Sequence, residues 1–171
     1  GPFLVHNGDI LCDIDLGLLF EAHRRSDGIA TLAVFRRPGI ENLELLPDGS
    51  LAGVTGRWSA EQGERRAAFT GVAVYEPAFL ELLPGGASDL VEGWGRAVRA
   101  GHRIRTVEAP LSFWSDIGTP EAYAAAVAES LAREGERLHV SEGAEIGEGF
   151  RFEGAAVIEA GGRCREGAFL R

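Results

Sequence analysis

From Val140 to the end of the chain an apolar residue returns at every sixth position: Val140, Ile146, Phe152, Ile158, Cys164 and Leu170. Gly143, Gly149, Gly161 and Gly167 keep the same period, with Ala155 filling the gap. A helix repeats its apolar face every 3.6 residues and a strand every 2, and six fits neither. It suits a parallel coil of short strands, in which apolar residues stack inside and small residues allow tight corners. Residues 137–171 are therefore expected to form the start of a hexapeptide-repeat β-helix. The pattern stops in mid-repeat and the sequence contains no methionine, so the chain is expected to be a piece of a longer protein.

Residues 1–136 read differently. Phe3 to His6 is predicted as a short buried strand of the parallel-sheet kind. Asp15 caps a helix whose Leu16, Leu19, Phe20 and His23 share one face, with Gly28 as its stop. Strands are expected at 29–35, in a hairpin over 42–56 around Pro47-Asp48-Gly49, and at 68–75. The stretch 57–67 is polar and expected to be a surface loop. A short helix from Pro77 to Leu83 follows, then one striped by Leu90, Val91, Trp94 and Val98 and ended by Gly101. "RIRTVEA" and "LSFW" are further strands, and Thr119 caps a last helix with Pro120 in its first turn. Strands alternating with helices define an α/β layered sheet, which the hairpin makes mixed.

Charge narrows the partners. A net charge of -9 excludes a general nucleic-acid or anionic-membrane surface, both of which require a basic face. No apolar run approaches a membrane span. Two cysteines are too few for a disulfide framework, so a cytoplasmic location is expected. All 17 cations are arginines, which rules out a lysine-dependent step within this stretch.

Two stretches share one design. Strand 3–6 runs into Asn7-Gly8-Asp9, and "FWSDIGTPEAY" (113–123) carries Asp116 past an apolar strand and ahead of a helix start. Ligands of open α/β sheets bind beyond the carboxyl ends of strands. A carboxylate there is a good Mg²⁺ ligand, and Gly8 lets a ligand approach the backbone. Taken singly, the first stretch also reads as a plain turn and the second as a cap or loop. Thr70 and Gly71 interrupt a strand made for burial; the glycine marks either close approach of a ligand or packing beneath a helix. His6, His23, His102 and His139 lack metal-ligand spacing, and Arg36, Arg37, Arg65 and Arg66 read as solvated loop charges.

In order and spacing, "FLVHNGDIL", "DLGLLFEAHRRSDGIATLAV", "FTGVAVYEPAFLELLP", "FWSDIGTPEAY" and the hexapeptide tail resemble the sugar-1-phosphate nucleotidyltransferases, including those acting on mannose 1-phosphate and N-acetylmuramate 1-phosphate. The resemblance implies a Rossmann-like, mixed but mostly parallel sheet, here partial, over residues 1–136, followed by a left-handed β-helix. It implies Mg²⁺-dependent transfer of a nucleotidyl group from a nucleoside triphosphate to a sugar 1-phosphate, releasing pyrophosphate. Asp9 and Asp116 match the pair of catalytic, Mg²⁺-binding aspartates. Asn7, Gly8, Thr70 and Gly71 match positions along the sugar. Homo-oligomers through the β-helix are also implied.

Two family features are missing: the Gly-rich nucleotide loop and the Glu-Lys-Pro lysine, for which Arg65 or Arg66 is the candidate substitute. That leaves a non-catalytic nucleotide-sugar-binding regulatory or assembly subunit as the alternative. A hexapeptide acyltransferase is disfavoured, because only His139 lies near the coil.

Overall fold

The computed structural model describes residues 1–60, 63–86 and 89–170. These fall into two compact units, Gly1–Trp114 and Ser115–Arg171. The first is built on nine strands: β1 (Phe3–His6), β2 (Ile10–Cys12), β3 (Ala30–Phe35), β4 (Leu43–Leu45), β5 (Leu51–Val54), β6 (Trp58–Ser59), β7 (Arg65–Tyr75), β8 (Ile104–Glu108) and β9 (Trp114–Asp116), the last straddling the boundary between the units. Its helices are α1 (Leu16–Arg24), a 3-10 helix (Pro77–Leu82) and α2 (Leu90–Arg99).

The sheet runs β6-β5-β4-β7-β3-β8, and β1 adds to the edge of β7 beyond β4. β3 and β7 from Ala67 onward are mostly apolar because both faces are covered. Leu32, Val34 and Tyr75 turn toward Phe79 and toward Trp94 of α2, while Ala33, Val72 and Val74 turn toward Leu19 of α1. The sheet therefore lies between α1 on one side and α2 with the 3-10 helix on the other.

Several expectations are corrected. Of the pairings in this sheet only β3 with β8 is parallel; β1–β7, β3–β7, β4–β5, β4–β7 and β5–β6 are all antiparallel. Parallel neighbours need long crossovers, whereas β4, β5 and β6 follow one another through tight turns. β1 too is antiparallel, paired with β7, and half-buried. Helix α1 stops at an Arg25 cap, with the N–H of Ser26 on the carbonyl of His23 (2.9 Å), short of Gly28. Gly28 is buried where a Cβ would stand 2.7 Å from the Ala30 carbonyl oxygen.

The expected loop over 57–67 contains β6 and the start of β7, because the Trp58 indole packs on α2 and donates to the Val91 carbonyl (2.9 Å). Glu61 and Gln62, also within that expected loop, lie outside the described residues. The strand expected at 111–114 begins only at Trp114. No helix among the described residues is long and apolar enough to cross a membrane.

In the second unit, Thr119 Oγ1 accepts the Ala122 N–H (3.1 Å) and opens α3 (Pro120–Arg133), as its sequence indicates. Six short strands follow: β10 (Leu138–Val140), β11 (Glu145–Ile146), β12 (Arg151–Phe152), β13 (Ala156–Ile158), β14 (Arg163–Cys164) and β15 (Phe169–Leu170). Each ends on one of the six apolar residues of the repeat. They pair in parallel, Leu138 opposite Ala156, Glu145 opposite Arg163 and Arg151 opposite Phe169, always eighteen residues apart. The turn in the third hexad uses Gly154, at φ +77°, one position before the Ala155 expected to fill it.

Candidate functional site at the Asn7–Asp9 turn

Two steps along β3, from Leu32 to Val34, span the length of four steps along β7, from Ala73 back to Phe69. The surplus forms a bulge at Thr70 and Gly71. Thr70 is fully buried and its hydroxyl repairs the broken ladder, donating to the Ala33 carbonyl (2.9 Å) and accepting the Val72 N–H (3.2 Å). Gly71 has φ +87°, and a Cβ there would stand 2.7 Å from Ile10 Cγ1 and 3.4 Å from Asn7 Cβ. The close approach that calls for glycine is thus made by the chain's own turn.

The bulge holds that turn in place. The Asn7 N–H donates to the Gly71 carbonyl (2.9 Å), directly after the last β1–β7 pair, His6 with Val72. Ile10 is buried behind it, whereas Asn7, Gly8 and Asp9 are exposed. No heavy atom lies within 4 Å of a Cβ built on Gly8. Among the described residues, no hydrogen bond or ion pair engages the Asp9 carboxylate, and no three His, Cys, Asp or Glu side chains group to hold a metal ion.

Trp114, which the sequence reading passed over, closes one side of the bulge. Its indole N–H donates to the Thr70 carbonyl (2.8 Å), its ring lies 5.0 Å from Phe35, and the Arg37 guanidinium carbon sits 5.7 Å from its centroid. Its signal was present, two residues before Asp116, but an aromatic in an apolar run reads as core. Asp116 belongs to the second unit. It is exposed, and one carboxylate oxygen accepts the Gly118 N–H (2.9 Å) ahead of the α3 cap.

Arg65 and Arg66 are not neighbours of the turn. They open β7 and, with Arg36, line a hollow of about 60 Å³ where Arg36 pairs with Glu108 (3.7 Å). Arg66 is five positions before Gly71, about 16 Å along the strand. A larger cavity of about 250 Å³ on the α1 face has an apolar wall, including Leu18, Leu19 and Val107, and a rim of Asp13, Asp15 and Glu108. Its negative rim disfavours phosphate.

Asp13 anchors the chain leading to Trp114. Its carboxylate accepts the backbone N–H of Ser112 (3.2 Å) and of Phe113 (3.1 Å) as well as the Ser112 hydroxyl. These bonds, the Ser112 hydroxyl foremost, hold the Asp13 carboxyl below its ordinary value of 3.8. A carboxyl depressed in the folded state stabilises fully above its unfolded value, and that contribution is lost as pH falls through the folded one. Wild type is therefore expected to exceed Asp13→Asn in urea midpoint at about pH 6, with the gap closing below about pH 3.8. A gap that widens on acidification contradicts the assignment.

The fold is a mixed α/β sheet of the kind found in sugar nucleotidyltransferases. It is similar to UTP-bound UGPase from Acinetobacter baumannii (TM-score 0.59, 16% identity, covering 77% of this chain and 51% of that one). It is likewise similar to an apo UDP-glucose pyrophosphorylase (0.59, 18%, 78% and 55%) and to HddC from Yersinia pseudotuberculosis complexed with GMP-PN (0.56, 18%, 75% and 55%). At such identities the likeness is one of fold, and the chain spans about half the length of the structures it matches. No family model and no curated protein sequence matches it.

Proposed function

We propose that this chain is the sugar- and metal-facing part of a sugar-1-phosphate nucleotidyltransferase. The carrying observation is the Asn7–Asp9 turn, an exposed carboxylate without a partner among the described residues at the carboxyl end of β1, seated on the Gly71 bulge. The fold supports the reading, since the enzymes named above are nucleotidyltransferases.

The donors fit Mg²⁺, which takes hard oxygen ligands and is commonly shared between one or two carboxylates and substrate phosphates. Asp9 offers both oxygens; in the second unit, taken by itself, Asp116 keeps one oxygen free of its contact to Gly118. When bound, the ion neutralises the repulsion between the sugar phosphate and the α-phosphate it attacks. Asn7 and Gly8 receive the sugar, Gly8 leaving space against the backbone. Thr70 and Gly71 act from beneath, fixing where the turn stands, because the Thr70 hydroxyl is committed to Ala33.

The test uses the whole protein with Mg²⁺, a set of nucleoside triphosphates and a panel of sugar 1-phosphates, reading pyrophosphate release. Asp9→Asn is expected to lower the rate by on the order of 10²-fold or more. Chelating Mg²⁺ is expected to abolish it. No release across the panel, with nucleotide sugars still bound, would favour the regulatory-subunit reading.

We read residues 137–171 as the start of a left-handed β-helix, three hexads to the turn, supported by the eighteen-residue pairing offset. Such a coil presents a surface for self-association. Removing residues 137–171 is then expected to leave a monomer by light scattering, and an unchanged oligomer would sink that role.

A further inference from the structure

The turn that carries Asp9 also closes a second constellation, which nucleotidyl transfer leaves unused. Cys12 Sγ lies 3.6 Å from His6 Nε2, and His6 Nδ1 lies 2.8 Å from the Asn7 carbonyl oxygen. A carbonyl oxygen only accepts, so Nδ1 carries the ring proton and donates it. Nε2 then turns its lone pair to Cys12, whose S–H donates to it. Nucleophile, base and an acceptor that orients the base thus stand in series. His6 is exposed at the end of β1, and Cys12 on β2 is partly buried, packed against the cluster around Leu19.

We propose that Cys12 is a reactive-thiol modification site, with His6 as its general base, that hydroperoxides oxidise to a sulfenic acid. The sulfur attacks one peroxide oxygen; an S–O bond forms as the O–O bond breaks. Sulfur gives up two electrons and the peroxide gains them. The thiol proton passes through His6 Nε2 to the departing oxygen, which leaves as water or an alcohol. The new polar oxygen would stand three residues from Asp9, in the segment whose seat is the Gly71 bulge.

The chain carries its own control. Cys164 has a similar, intermediate exposure, lies in the other unit, and has no histidine bonded to it among the described residues. The experiment exposes the protein to limiting hydrogen peroxide with a cyclic 1,3-dione as sulfenic-acid trap, and mass spectrometry reads adduct growth on each cysteine. Cys12 is expected to be trapped at least about tenfold faster than Cys164. His6→Gln, which removes the base from an exposed position, should bring Cys12 down to the Cys164 rate and leave Cys164 unchanged. Equal rates in the wild type, or a Cys12 rate untouched by His6→Gln, overturn the proposal. None of these readouts depends on nucleotidyl transfer.

Discussion

Trp94→Ala is expected to cost about 3–5 kcal/mol of folding free energy, the usual range for deleting a fully buried large aromatic. Trp94 is 2% exposed and meets Phe69 edge-on at 5.1 Å. Its indole N–H donates to the Tyr75 hydroxyl (3.1 Å), and Tyr75 in turn packs against Phe79 at 4.6 Å. The α2 backbone on either side of it is closely packed by other residues. A Cβ on Gly93 would meet Leu83 at 2.6 Å, and one on Gly95 would meet Trp58 at 3.2 Å. Such tight walls resist collapse, so the space left by the indole persists as a cavity.

Alanine also strips the buried Tyr75 hydroxyl of its donor; burial already pushes that phenol up and keeps it neutral. Trp94→Phe keeps most of the volume and isolates the hydrogen bond, at about 1–3 kcal/mol. Urea unfolding followed by circular dichroism measures both. A loss below about 1 kcal/mol for the alanine variant would contradict this packing.

Gly71→Ala is expected to destabilise by about 2–4 kcal/mol, from two sources that add. The positive φ is strained for a side chain, and the new Cβ overlaps Ile10 Cγ1 close to the backbone, where rotation brings little relief. Ile10 is buried, so the turn must move instead, and Asp9 moves with it. Gly71→Asn separates the two sources. Asparagine tolerates the left-handed region but carries the same Cβ, so it should recover only the strain. Full recovery by asparagine in urea unfolding would show that crowding against Ile10 counts for little.

The elements most legible in sequence were those with local punctuation. Asp15 and Thr119 cap helices with side chains three residues from the N–H they accept, and Pro47-Asp48-Gly49 turns the hairpin. The six-residue period gave the places of the short strands, though the third turn slid by one residue to the glycine that could adopt positive φ. The polar stretch after Gly56 misled because its strand residues are anchored from afar, Trp58 by α2 and Arg65 to Ala67 by β4. Strand direction was the largest miss. Apolar runs signal that both faces are covered and say nothing of how neighbours are aligned.

For the candidate site, the turn at Asn7–Asp9 was readable, since a strand ending on Gly-Asp is a local statement. What seats it was not. Gly71 read as close approach of a ligand or packing beneath a helix, and the atom nearest its Cβ position belongs to Ile10, sixty-one positions away in the chain. Trp114 depends on non-local geometry of the same kind, and the His6–Cys12 pair, six positions apart, on the shape of the turn between them.

The β7 bulge has one more consequence, in the arithmetic of parity. Its surplus over β3 is two residues, an even number, so Phe69 before it and Ala73 after it still face the same side. An insertion or deletion of one residue between them would reverse every side chain on one flank of the strand, exchanging core for core. A change of two would keep the phase. Related chains are therefore expected to differ here more often by two residues than by one.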